Sequence, residues 1–139
     1  MALRPFTPEW ADAFRAVVSA DAAYRAAAAK WTWPLALVLR PAPEYGYPDA
    51  LAMELALDRG NCHAASIVAA NDVTAELVLS APYAVWKSVV RGELDPIVGV
   101  TRGAIAVQGP LTMLMMHAKA AMALLACAQA VPSTFPDDA

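Results

Sequence analysis

From Gly103 to Val131 the chain carries one charged side chain, Lys119. Residues 110–131 read PLTMLMMHAKAAMALLACAQAV, bounded by Pro110 and Pro132. A proline fits the first turn of a helix and cannot continue one, so the pair predicts a single terminal helix between them. A helix this apolar needs cover on most of its surface. Its length is about that of a bilayer span, yet His117 and Lys119 fall at its middle, where a charge is costly in hydrocarbon. The segment is therefore expected to be a buried or cavity-lining helix and not an integral membrane segment. A sheet covers one side; the other must meet further helices, a partner chain or a ligand.

The whole chain shares this bias. Of its 139 residues 59% are hydrophobic and 17% charged, against about 45–50% and about 25% in ordinary globular chains. Disordered chains have the opposite composition, and coiled coils need charged flanking positions. The net charge of -3 lacks the basic surplus of a nucleic-acid binder, so no nucleic-acid partner is expected. Cys62 and Cys127 lie far apart with no metal-ligand spacing, as expected of reduced thiols in a cytoplasmic protein. The opening residues MALRPFTPEWADAF contain no apolar signal core.

Along the chain, no repeat or second composition appears, and one domain over 1–139 is expected. Residues 1–33 read as helical: Thr7 as N-cap, Pro8 at the first helical position, and Trp10, Phe14, Val17 and Val18 on one stripe. A second short helix runs through residues 21–30 with Tyr24 and Ala28 inward, and Pro34 ends it. Residues 34–80 read as a four-strand meander. Leu35, Leu37 and Leu39 alternate; then Leu51, Met53, Leu55 and Leu57 face one way while Ala52, Glu54, Ala56 and Asp58 face the other. DRGN is a hairpin turn, residues 62–70 a weaker strand, and ND a second turn into VTAELVLS, with Val73, Leu77 and Leu79 on one face.

Residues 81–131 return to helices. Ser80 can cap, Pro82 fits the first turn, and Tyr83, Trp86, Val89 and Val90 form a stripe stopped by Arg91-Gly92. Asp95-Pro96 starts a short helix with Ile97 and Val100 inward. A fifth strand, GAIAVQG, has Ile105 and Val107 on one face and precedes the terminal helix. The tail STFPDDA is polar and expected to be loose.

This order of elements resembles the sterol carrier protein (type 2) domain, in its bacterial-type, stand-alone form. The resemblance is carried by DVTAELVLSAPYAVWKSVVRGELDPIVGVTRGAIAVQGPL. It shows an aspartate-led strand (Asp72 to Leu79) and a helix with an aromatic in its second turn (Ser80 to Val90). A Gly-x-Leu-x-Pro junction follows (Gly92, Leu94, Pro96), then a strand bounded by Gly103 and Gly109. Before these residues only the order of elements is similar. The resemblance implies an α/β (α+β) fold: a five-stranded, mostly antiparallel sheet with helices on one face. It also implies a cavity for a lipid such as a fatty acid, acyl-CoA, sterol or other isoprenoid.

The wall expected for that cavity is Trp86, Val90, Leu94, Ile105, Val107, Leu111, Leu114, Met115, Ala118, Met122 and Leu125, with His117 as a polar anchor or a backbone partner. Methionine suits a wall that adapts to variable apolar shapes, although it also fills ordinary cores. No catalytic residue, metal or cofactor is expected. Cys62 and His63 are neighbours on a strand and point to opposite faces, which separates them as a nucleophile–base pair. Of the carboxylates, Asp95 reads as a helix cap, and Glu54 and Asp58 as residues of the wetter strand face. Two other readings stand beside the carrier. One is a small enzyme or accessory protein acting on an apolar substrate in the same cavity. The other is a homodimer or larger self-assembly formed through the apolar helix, with no cavity.

Overall fold

Thr7 accepts a hydrogen bond from the Trp10 amide at 3.3 Å, and Pro8 occupies the first position of the helix that follows. The computed structural model describes residues 2–137. Helix α1 (Pro8–Ala20) buries Trp10, Phe14 and Val18. Asp21 ends it and caps α2 (Ala22–Ala27) by accepting from the Tyr24 amide at 2.8 Å. Strands β1 (Leu35–Leu39), β2 (Leu51–Asp58) and β3 (Asn61–Ala69) pair antiparallel in the order β1-β2-β3. The β2–β3 hairpin turns through Arg59 (φ 49°) and Gly60 (φ 87°), two left-handed residues that match the twist of the flanking strands. A β-carbon on Gly60 would lie 2.8 Å from the Arg25 carbonyl oxygen, so the turn needs glycine for space as well as for angle.

The fourth strand departs from the expected meander. Strand β4 (Leu77–Ala81) pairs with β1, in parallel, and β5 (Ala106–Gln108) pairs antiparallel with β4. The sheet order is β3-β2-β1-β4-β5. Ala69 pairs with Leu51 near one end of the sheet, whereas Leu77 pairs with Leu35 near the other. The chain must therefore run back along the sheet between them. A 3-10 turn (Ala70–Asp72) and an extended strap do this, and Val73 lies outside β4. The Glu54 carboxylate holds the strap by accepting from the Thr74 and Ala75 amides at 2.7 and 3.0 Å. Ala36 and Ala52, on the same face as Glu54, are fully buried, their small side chains giving the close approach a crossing strand requires.

The opposite face, with Leu35, Leu37, Leu39, Met53, Leu55, Leu77 and Leu79, carries the core under the helices. Helix α3 (Tyr83–Val90) buries Tyr83, Trp86 and Val89. Ser80 is not its cap: Ser80 sits in β4, and Pro82 takes the cap position with no side-chain bond. Helix α4 (Pro96–Thr101) is capped by Asp95, which accepts from the Ile97 and Val98 amides at 2.8 and 3.3 Å. The fold is thus the α/β arrangement expected, a mostly antiparallel five-stranded sheet with one parallel pair.

The terminal helix is broken. It forms α5 (Leu111–Met116) and α6 (Ala118–Ala126), followed by a 3-10 turn (Cys127–Ala130). His117 interrupts it with φ -116° and ψ 32°. There the imidazole packs against the indoles of Trp31 and Trp33, at 5.6 and 5.1 Å between ring centres. The tail is also not loose over its described part. Leu3 and residues 132–134 form a parallel bridge through Leu3 N–H to Pro132 O and Thr134 N–H to Leu3 O, both 2.8 Å, and Phe135 is buried. Asp138 and Ala139 lie outside the described residues.

Candidate functional site

Two small, adjoining apolar cavities lie between the sheet and the helices, with volumes of about 10 and 20 Å³. Phe6, Trp86, Val90 and Pro5 line both. The inner cavity is completed by Trp10 and Phe14 from α1, Leu37 and Met53 from the sheet, Val89 from α3, and Leu125 and Ala128 from the chain's last helical stretch. Its wall is thus assembled from every layer of the fold. Trp86 is fixed at the centre by its indole N–H, which donates to Val38 O of β1 at 2.8 Å. Phe6 adopts a left-handed backbone (φ 61°), which an L-residue with a bulky side chain takes only when its surroundings enforce it. Its ring meets Trp86 at 6.2 Å between centres.

The outer cavity opens toward the joined termini. Tyr83 and Phe135 lie 6.2 Å apart between ring centres, and both line it. The Tyr83 hydroxyl donates to Asp137 Oδ1 at 2.6 Å, and Lys87 Nζ donates to the same oxygen at 2.9 Å. The hydrogen bond from Tyr83, then that from Lys87, lowers the Asp137 carboxyl below its ordinary value, while burial pushes the Tyr83 hydroxyl up. Lys87 and Arg91 also sit over the Phe135 ring, at 5.4 and 5.2 Å from its centre. The tail therefore closes an apolar space with a polar latch on its rim.

A groove of about 210 Å³ lies outside the inner cavity, between the ends of α3 and α6 and the start of α4. Leu94, Met122 and Leu125 line it, with Asp95 and Gln129 at its polar edge. Leu125 and Val89 belong to both spaces and form the partition between them.

Of the expected wall, Trp86, Val90 and Leu125 meet at the inner cavity, and Leu94 and Met122 stand in the groove. Ile105 and Leu114 are buried, Val107 and Ala118 half-buried, and none of them lines either space. Leu111 and Met115 are exposed, so the terminal segment lacks the all-round cover its composition predicts. His117 packs on the two tryptophans and lines neither cavity nor the groove. Sequence reasoning missed the share of the wall that comes from the N-terminal segment (Pro5, Phe6, Trp10, Phe14), from the sheet (Leu37, Leu39, Met53) and from Phe135, along with Tyr47, Tyr83, Lys87, Val89 and Ala128. The α1 stripe signalled two of them, but as packing residues.

Cys62 is buried and His63 exposed, on opposite faces of β3 as their adjacency dictates. The Cys127 thiol donates to Asp21 Oδ2 at 3.4 Å and to Ala123 O at 3.3 Å. Burial, with the Asp21 carboxylate beside it, pushes this thiol up to about 12. Burial likewise raises Cys62. Among the described residues no three His, Cys, Asp or Glu side chains gather as a metal-ligand set, and no helix is long and apolar enough to cross a membrane.

No protein-family model matches the chain, and no curated protein matches it. Solved structures do. A crystal structure of sterol carrier protein 2 is 35% identical with a TM-score of 0.88, over 92% of this chain and 99% of that one. A solution structure of a conserved hypothetical protein from Thermus thermophilus, described as a candidate sterol carrier protein, is 34% identical with a TM-score of 0.87, over 96% and 93%. The apo form of sterol carrier protein 2 from Yarrowia lipolytica, at 16% identity and a TM-score of 0.55 over 85% and 88%, shares the fold.

Proposed function

The chain belongs to the sterol carrier protein 2 family, and from that membership we propose that it binds one lipid-like molecule without covalent chemistry, between the sheet and helices α1, α3 and α6. Fatty acids, acyl-CoAs, sterols and other isoprenoids are the candidate ligands. The observation that carries this reading is the pair of apolar cavities around Trp86, where all three layers leave space that side chains do not fill. Trp86, Val90 and Leu125 act as wall, with Leu94 and Met122 at the groove beyond. The whole chain acts as a single binding unit.

Volume sets the mechanism. Cavities of about 10 and 20 Å³ hold at most a water molecule or two, whereas ligand pockets commonly reach several hundred Å³ (about 300–1,000). Binding therefore requires the walls to part. The partition at Leu125 and Val89 separates the inner cavity from a groove already about 210 Å³ in size. Moving α6 by a side chain's width merges the two. The released contacts are replaced by contacts with the ligand, at roughly 25 cal/mol per Å² of apolar area buried. The wall has few polar groups, so recognition follows shape and tolerates variation along the ligand. The two buried free thiols fit a reducing compartment, and we place the protein in the cytoplasm on that ground.

A fluorescent fatty acid tests the proposal. The folded protein is expected to bind it with micromolar affinity, and unlabelled palmitate or a sterol should displace it. Organic extraction of the purified protein, followed by mass spectrometry, should recover a lipid in near-stoichiometric amount. A folded sample that neither binds the probe nor carries lipid contradicts the proposal.

A further inference from the structure

Residues four apart on a helix share one ridge, and α3 carries two ridges of opposite character. Trp86 and Val90 form an apolar one that lines both cavities. Tyr83, Lys87 and Arg91, the last at the C-cap, form a polar one beside it. The helix thus sets a hydroxyl and two cations along the rim of an apolar space. A single-chain amphiphile with an acidic head group is divided in the same way.

The tail already places groups of that kind on the rim. Phe135 closes the outer cavity, and two residues further on the Asp137 carboxylate accepts from the Tyr83 hydroxyl at 2.6 Å and from Lys87 Nζ at 2.9 Å. Both cations lie over the Phe135 ring, Lys87 Nζ 5.4 Å and the Arg91 guanidinium 5.2 Å from its centre. An apolar group in the cavity and a carboxylate at its mouth are what a bound fatty acid would present, and here the chain supplies them itself. The Lys87 side chain is only 17% exposed, so its charge is less screened than one in open water. Asp137 is exposed and can leave without disturbing the core. A groove of about 340 Å³ adjoins the outer cavity, shares Val90 and Phe135 with it, and has Arg91, Gln129 and Ser133 at its edge. It gives a head group room once the ring moves aside.

We propose that Tyr83, Lys87 and Arg91 form a carboxylate subsite whose internal occupant is Asp137, and that the subsite selects carboxylate-bearing single-chain amphiphiles over neutral ones of the same length. This rests on the interior binding proposed above and adds the chemistry of the head group. Binding is then an exchange. The ligand's carboxylate takes the donors that Asp137 gives up, and its chain takes the space that Phe135 leaves. A neutral alcohol displaces Asp137 without replacing its charge.

Laurate and dodecan-1-ol share one chain length and differ in the head group, so displacement of Nile red by each is the test. An apolar cavity alone prefers the alcohol, because burying an unpaired carboxylate costs far more than burying a hydroxyl. The order of the two affinities therefore reads the subsite. At a mildly alkaline pH the native protein is expected to bind laurate about tenfold more tightly than dodecanol. Lys87→Met with Arg91→Met retains apolar stems and should reverse that order, whereas Lys87→Arg should keep it. If the double variant does not melt cooperatively, Lys87→Met alone should abolish the preference. Asp137→Asn removes the charge of the internal occupant, and laurate should bind that variant several-fold more tightly. Dodecanol bound as tightly as laurate by the native protein would overturn the proposal while leaving the interior site standing. So would a laurate preference that survives loss of the cations, or an unchanged laurate affinity in Asp137→Asn. Displacement by neither compound would contradict the interior site itself, and the subsite with it.

Discussion

Asp21 shows how much one side chain can hold. Its Oδ1 caps α2, and its Oδ2 accepts the Cys127 thiol from the far end of the chain. Burial, and the carboxylate next to it, raises that thiol from an ordinary value of 9.0 to about 12. In the unfolded chain the thiol loses its proton near 9.0, so between 9.0 and about 12 the folded state holds a proton the unfolded state has released. Stability is accordingly full below pH 9 and falls as pH rises toward 12. Denaturant melts at rising pH should show that decline beginning near pH 9, before the tyrosines titrate, and Cys127→Ala should make it shallower. A native decline no steeper than that of Cys127→Ala would contradict the assignment. The sequence presented Cys127 as a reduced thiol outside any metal-ligand spacing, and the structure buries it. It could not present Asp21 as its partner, because nothing local joins positions so far apart. Glu54 is a similar case: alternation put it on the wetter face, and only the strap reveals what it binds.

Elements were legible wherever their own periodicity defined them. The α1 stripe, the alternation of β2, the Arg59-Gly60 turn and the Asp95 cap all stand where local rules placed them. Pairing was less legible. Parallel neighbours are usually joined by a crossover of a dozen or more residues, most often helical. The stretch between β3 and β4 is short and contains no α-helix, so it read as a tight turn into an antiparallel neighbour. The anchored strap instead crosses the sheet and delivers β4 beside β1. The terminal helix and the tail misled for a related reason: composition reports how apolar a segment is, but not where it bends or what it is tied to. Phe135 makes the tail's role testable. Its ring packs on Tyr83 and under Lys87 and Arg91, and it closes the outer cavity. Phe135→Ser should release the latch and speed association of a fluorescent fatty acid several-fold in stopped-flow mixing, with a smaller change in affinity. An unchanged association rate would show that ligands reach the interior by another route, such as the Leu125 partition.

Across the whole molecule, one sheet face is crossed by a strap anchored on Glu54, and the other carries a core that stops short of complete packing around Trp86. The family was readable from residues 72–111, because the cap, the glycines and the Leu-Asp-Pro junction lie close together there. The site was less so. Three of the expected wall residues, Trp86, Val90 and Leu125, converge on the inner cavity. The other half of that wall comes from the N-terminal segment and the sheet, brought together only by the fold. Methyl-labelled NMR of the protein titrated with a fatty acid tests the central claim most directly. Nuclear Overhauser contacts from the acyl chain should appear at the methyl groups of Met53, Val89, Val90 and Leu125, which surround Trp86. Contacts confined to the exposed methyl groups of Leu111, Met115 and Met116, with none at those four, would contradict an interior site.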